Sequence, residues 1–306
     1  VTSPWAALVY IQGMMRTLLL TTLLSTGLTL GLSTGLPTGG TALAQTFSPS
    51  ANTTTEETLL AGTPARVSLL PGWRMENGNH MAALRVVLAD GWKTYWRAPG
   101  EGGIPPDFDW SGSANLGGVT FHWPVPEVIG TGDLETIGYR NELILPIEIT
   151  PEMAGQDVEL SADLLMGICE HICVPLESAV AVDLSAAATV ADPRIEAALA
   201  QRPDTKEEAG VTDVSCTRED LRDGVRVTAR MALPAMSDRE AVVFEASDPA
   251  IWVSEAMEHR EGTTLVAVAD LVPPTGQPFP VAGNDLRFTV LGAGRGVDIQ
   301  GCDEIE

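Results

Sequence analysis

Lysine is almost missing from this chain of 306 residues: Lys93 and Lys206 are the only two. Lysine and arginine together number 18 against 41 aspartates and glutamates, a net charge of −23. So acidic a chain repels phosphate backbones and anionic membrane surfaces, which excludes nucleic acid as a partner and favours a neutral or basic partner face. Motifs for phosphate cradling, H-E-x-x-H zinc chemistry or a G-x-S-x-G nucleophile are lacking too. Cysteine is scarce, with four residues, and none lies in a C-x-x-C or C-x-x-C-H arrangement, which excludes thioredoxin-type and haem-attachment motifs. Beyond residue 36 no run is apolar for long enough to cross a bilayer.

The apolar run that is present comes early. Met14-Met15-Arg16 opens a basic start, Thr17 to Leu36 carries no charge, and Ala42-Leu43-Ala44 supplies a small-x-small site before Gln45. These three parts predict a Sec-type signal peptide over 1–44, with a membrane anchor as the rival reading. Cleavage there leaves a periplasmic protein without stable membrane insertion. Residues 45–64, rich in Ser, Thr, Asn and Glu, read as a flexible lead-in.

From Ala65 onward, short β-type runs alternate with turn signals, among them Met81 to Leu88, Gly118 to Trp123, Leu143 to Ile149, Val158 to Met166 and Val180 to Leu184. Long helical periodicity is missing, so the fold class expected is all-β, an immunoglobulin-like sandwich over 65–185. Asp192-Pro193 followed by Arg194, Glu196, Ala197, Ala198 and Leu199 predicts a short helix in a linker over 186–210. Residues 211–306 return to β-type runs at 224–232, 241–246, 263–271 and 286–291, predicting a second, smaller sandwich. Cys216 and Cys302 flank those runs, and in an oxidising compartment they read as a structural disulfide joining the domain ends.

The informative segment is Gly167-Ile168-Cys169-Glu170-His171-Ile172-Cys173-Val174-Pro175. Two thiols separated by three residues close a very small ring when oxidised. Such a ring gains little chain entropy, and its strain makes it labile, which suits exchange better than stapling. Glu170 and His171 sit between the thiols, where a charge or a titrating imidazole tunes thiolate formation. Three readings stand on these residues: a disulfide-exchange site, a soft-metal site in which Cys169, His171 and Cys173 hold Cu(I) or Zn(II), and a plain structural bridge. The exchange reading needs no cofactor and the second needs copper or zinc. The aromatic cluster Trp92, Tyr95, Trp96, Trp110 and Trp123 reads either as sandwich core or, for one or two rings, as a shield over the thiols. His80, His122 and His259 read as ordinary surface or half-buried histidines.

In order and spacing, four segments carry a resemblance. They are Asp90-Gly91-Trp92-Lys93-Thr94-Tyr95-Trp96-Arg97, Gly100 to Trp110 with Ile104-Pro105-Pro106, Tyr139-Arg140-Asn141-Glu142-Leu143-Ile144-Leu145-Pro146, and the Cys169/Cys173 pair ending in Val174-Pro175. Residues from about Ala65 to Leu184 resemble the N-terminal immunoglobulin-like periplasmic domain of the DsbD and ScsB thiol:disulfide reductases. The resemblance implies electrons received from a membrane-embedded reductase and passed through Cys169 and Cys173 to periplasmic thioredoxin-fold proteins. It also implies a cap loop near Gly130 to Gly138, with Leu134 or Ile137 as the covering residue, and Tyr95, Trp96 and Tyr139 beside the thiols. The Cys-x3-Cys spacing is narrower than in the DsbD branch and closer to ScsB. With no transmembrane or thioredoxin-like domain in the 306 residues, the expected membrane reductase is a separate protein.

Overall fold

The computed structural model describes residues 64–130 and 135–305; the expected leader, the lead-in up to residue 63 and Leu134 lie outside the described residues. Among the described residues, no helix is long and apolar enough to cross a membrane.

The first ten strands build one sandwich. They are β1 (Ala65–Arg74), β2 (His80–Leu88), β3 (Lys93–Tyr95), β4 (Asp107–Asp109), β5 (Leu116–Phe121), β6 (Glu127–Ile129), β7 (Thr136–Arg140), β8 (Glu142–Pro151), β9 (Val158–Cys169) and β10 (Cys173–Leu184). A four-stranded sheet runs β1-β2-β8-β5 and a six-stranded sheet runs β10-β9-β3-β7-β6, with β4 added on β9. Leu84, Val86, Leu143, Leu145 and Ile147 from one sheet meet Leu160, Leu164, Met166 and Ile168 from the other in a single core. Alternation along β9 sorts the faces: Val158, Leu160, Ala162, Leu164, Met166 and Ile168 point inward, so the odd-numbered residues up to Cys169 take the outer face.

A short helix, α1 (Pro193–Leu199), follows. Asp192 caps it by accepting from the Arg194 backbone N–H at 2.9 Å, and Pro193 occupies the first turn, where its missing N–H costs nothing. Its Ile195 is buried against Leu70, Met81 and Ala83, so the helix covers the outer face of the first sandwich instead of hanging between domains.

The second sandwich is built from β11 (Asp204–Thr205), β12 (Asp213–Asp220), β13 (Val225–Ala232), β14 (Ala241–Ala246), β15 (Trp252–Val253), β16 (Met257–Glu261), β17 (Thr264–Val272), β18 (Leu286–Gly292), β19 (Arg295–Gln300) and β20 (Glu304–Ile305). Its four-stranded sheet runs β11-β19-β18-β14; its six-stranded sheet runs β15-β17-β13-β12-β20 with β16 on β17. In strand number it equals the first sandwich. The fold is all-β with two immunoglobulin-like sandwiches. Leu291, Ala241 and Val243 of the second pack onto the core cluster of the first.

Candidate functional site

The strands β9 and β10 form one long hairpin, in register from Val158↔Leu184 to Cys169↔Cys173. A three-residue turn, Glu170 to Ile172, closes it. Directly paired residues share a face, so register alone places both cysteines side by side on the outer face. They form a disulfide with Cα atoms 4.1 Å apart. The two sulfurs differ in access: Cys169 is 5 % exposed, whereas Cys173 is exposed at the sheet edge.

Tyr95 comes to the site from β3, whose Lys93 lies opposite Cys169. The phenol oxygen lies 2.9 Å from the Cys173 sulfur. A disulfide sulfur has no proton, so the hydroxyl donates. Burial pushes the Tyr95 phenol above its ordinary value, so it stays a donor through the neutral range. The ring is 1 % exposed and lies in a slot made by glycine: a Cβ on Gly167 would come 2.8 Å from the ring and from the Ile104 Cβ. Lys93 reaches across β7, donating to Thr136 Oγ1 at 2.7 Å, with its ammonium 5.7 Å from the Tyr95 ring centroid. Burial chiefly, and Arg140 next, lower the Lys93 affinity for its proton.

Of the residues expected beside the thiols, the structure brings only some together. Trp96 and Tyr139 are not there. Thr94 pairs with both Ile168 and Tyr139, which puts Tyr139 on the core face, opposite to Cys169. Tyr139 donates to the Pro124 carbonyl at 2.8 Å and stacks on Trp123, with burial raising its phenol well above the ordinary value. Trp96 is fully buried in the same core. Alternation explains both: a residue beside Tyr95 in sequence, or opposite Thr94 in register, faces away from the disulfide. Ile137, a proposed covering residue, also joins the core. The residue that does lie over the Tyr95 slot is Ile104.

Glu170 and His171 are exposed in the turn. Glu170 lies over Gly91, where an added Cβ would meet its carboxylate at 3.2 Å. In the oxidised pair neither sulfur is a thiolate, and among the described residues no cluster of three His, Cys, Asp or Glu is arranged to hold a metal ion. Cys216 and Cys302 form the second disulfide. Sequence reading missed Gly167 and Thr136. A glycine inside a strand next to a cysteine was the available signal for the first, since it marks close approach. Nothing in the sequence marks Thr136.

Fold and site together define an immunoglobulin-like domain that carries an accessible disulfide at the edge of a sheet. Residues 57–184 match the family described as Thiol:disulfide interchange protein DsbD, N-terminal. The structure is similar to that of the N-terminal periplasmic domain of ScsB from Proteus mirabilis, with a TM-score of 0.61 and 21% identity, over 80% of this chain and 95% of that one. At that identity the likeness speaks for the fold, and it spans both sandwiches. Among curated proteins, none matches the sequence.

Proposed function

We propose that this protein is a periplasmic thiol:disulfide exchange module. It takes electrons from a membrane-embedded thiol reductase and passes them to thioredoxin-fold proteins through Cys169 and Cys173. The observation that carries this reading is the Cys173 sulfur, exposed and held by the buried Tyr95 hydroxyl in a disulfide of sequence separation 4. Exposed apolar side chains lie on this side of the domain: Ile172 and Val174 flank the cysteine, Ile104 lies against the Tyr95 slot, and Leu165 lies farther along β9. A partner surface would cover them. The family that residues 57–184 match supports the chemistry, and the ScsB domain, a periplasmic one, supports the compartment.

In the forward step the Cys173 thiolate attacks one sulfur of the acceptor disulfide, forming a mixed disulfide and releasing one acceptor thiolate. Cys169 then attacks the Cys173 sulfur; the ring closes and the second acceptor thiolate leaves, so two electrons pass to the acceptor. Equilibration of the pair in glutathione buffers tests the reading. The midpoint is expected between about −180 and −270 mV, where thioredoxin-fold oxidoreductases work; a value below about −300 mV would place the bridge among structural disulfides and overturn it.

Tyr95 has a defined part in this step, because its hydroxyl also donates to the Cys173 thiolate. A hydrogen bond to a charged group contributes about 1.5–3 kcal/mol, and water at the exposed sulfur replaces part of it. Tyr95→Phe is therefore expected to raise the Cys173 thiol pKa, moving its alkylation to higher pH. The pH profile of iodoacetamide alkylation, in a chain whose other cysteines are blocked or replaced, reads the shift. An unchanged profile would remove Tyr95 from the mechanism. Copper binding by Cys169, His171 and Cys173 belongs to the reduced pair, and nothing in the oxidised site favours it.

A further inference from the structure

We infer that the second sandwich supplies positioning residues for the thiol site: Glu245 and Arg239 hold the two segments that enclose Tyr95. The inference uses the exchange reading only to say which site is being held.

The first segment is the chain that leaves β3. It turns through Arg97 and Gly100 and returns over its own tyrosine, with a Cβ position at Gly103 only 3.0 Å from the Tyr95 ring and Ile104 against Gly167. Arg97 anchors its start. The guanidinium lies 3.9 Å from the Trp96 ring centroid and forms two bonds of 2.9 Å to the Glu245 carboxylate, on β14 of the second sandwich. Halfway along, Gly100 lies against the Glu255 carboxylate, 3.4 Å from an added Cβ, and near the Glu135 carbonyl.

The second segment enters β7. Its Glu135 is salt-bridged by Arg239, just before β14. The next residue, Thr136, accepts the Lys93 ammonium that lies over the Tyr95 ring. The two segments are tied to each other, Trp96 N–H donating to the Ile137 carbonyl and Ile137 N–H to the Pro99 carbonyl, both at 3.0 Å. Both ion pairs therefore end on one side chain, the phenol that touches Cys173.

The Arg97–Glu245 pair is built to hold. Its side chains are 17% and 19% exposed, and the contact is a two-pronged fork, stronger and more directional than an exposed ion pair. Neutralising Glu245 leaves Arg97 half-buried without its counter-charge, and the segment must open to hydrate it. Opening lets Tyr95 move off the Cys173 sulfur and clears the side of that sulfur its hydroxyl occupies. Arg239 is 70% exposed, so its removal loosens Glu135 with little risk to folding.

The test is the rate at which dithiothreitol reduces Cys169–Cys173 in the full chain, well below its unfolding temperature. Glu245→Gln is expected to speed it at least about threefold and Arg239→Ala about twofold, differences of the size that contacting pairs show in coupling measurements. The charge-swapped pair, Arg97→Glu with Glu245→Arg, is expected to bring the rate back toward wild type. Wild-type rates in both single variants would overturn the inference. So would an equal acceleration at Cys216–Cys302, which would mean general loosening. If Glu245→Gln fails to fold, Arg239→Ala decides alone. A small-thiol rate needs no protein partner, so its failure is distinct from failure of the exchange reading.

Discussion

A chain with Cys169→Ala is expected to accumulate a mixed disulfide with a thioredoxin-fold partner, and a chain with Cys173→Ala is not. The difference follows from access. A cysteine 5 % exposed, on the inner strand of the hairpin, offers no line of approach to a second protein, whereas Cys173 is exposed at the sheet edge. In Cys169→Ala the Cys173 thiolate keeps the Tyr95 donor, attacks the partner and cannot be released, because the sulfur that would resolve the bond is gone. In Cys173→Ala the remaining thiol is buried, and the Tyr95 hydroxyl lies at the position of the lost sulfur. At least about tenfold more trapped complex is expected from the first variant, since exchange follows accessible thiolate. Non-reducing gels of periplasmic extracts, with mass identification of the adduct, provide the measurement. Equal trapping by both variants would contradict the assigned order of attack; trapping by neither would contradict the exchange function itself.

How far the sequence revealed this site depends on which side chains were involved. The disulfide was legible because its two residues are neighbours in the chain and because hairpin register turns a separation of four into a direct pair. Short β-type runs between turn signals gave β9 and several other strands of the first sandwich, and Asp192-Pro193 gave the start of α1. The aromatic strand was ambiguous for a physical reason. Lys93-Thr94-Tyr95-Trp96-Arg97 alternates between two faces, and nothing local says which of Tyr95 and Trp96 meets the cysteines. That choice is fixed by the pairing of Lys93 with Cys169, far away in sequence, and by the space that Gly167 leaves. Tyr139 was misplaced for the same reason. The Arg97–Glu245 pair, at a separation of 148 residues, joins two domains whose docking no local pattern encodes.

Removing the other disulfide tests the division of labour between the two. The chain with Cys216→Ala and Cys302→Ala is expected to lose about 4–5 kcal/mol of stability, because a bridge of sequence separation 86 strongly restricts the unfolded chain. For a domain pair of this size that lowers Tm by about 10–15 °C. Cys216 is fully buried in β12, and the bridge pins β20 against it in parallel register, Cys216 opposite Ile305. By contrast, the bridge that Cys169→Ala with Cys173→Ala removes closes a ring too small to restrict much, and its hairpin is already held by the β9–β10 ladder. Its loss is expected to be at most about 2 kcal/mol. Thermal melts of the two double variants followed by circular dichroism give both values, and equal melting points would contradict the division. The same asymmetry bears on exchange. A buried, strongly stabilising bridge resists the thiols that open an exposed, weakly stabilising one, so Cys169 and Cys173 can cycle through mixed disulfides without drawing Cys216 and Cys302 into scrambled pairs.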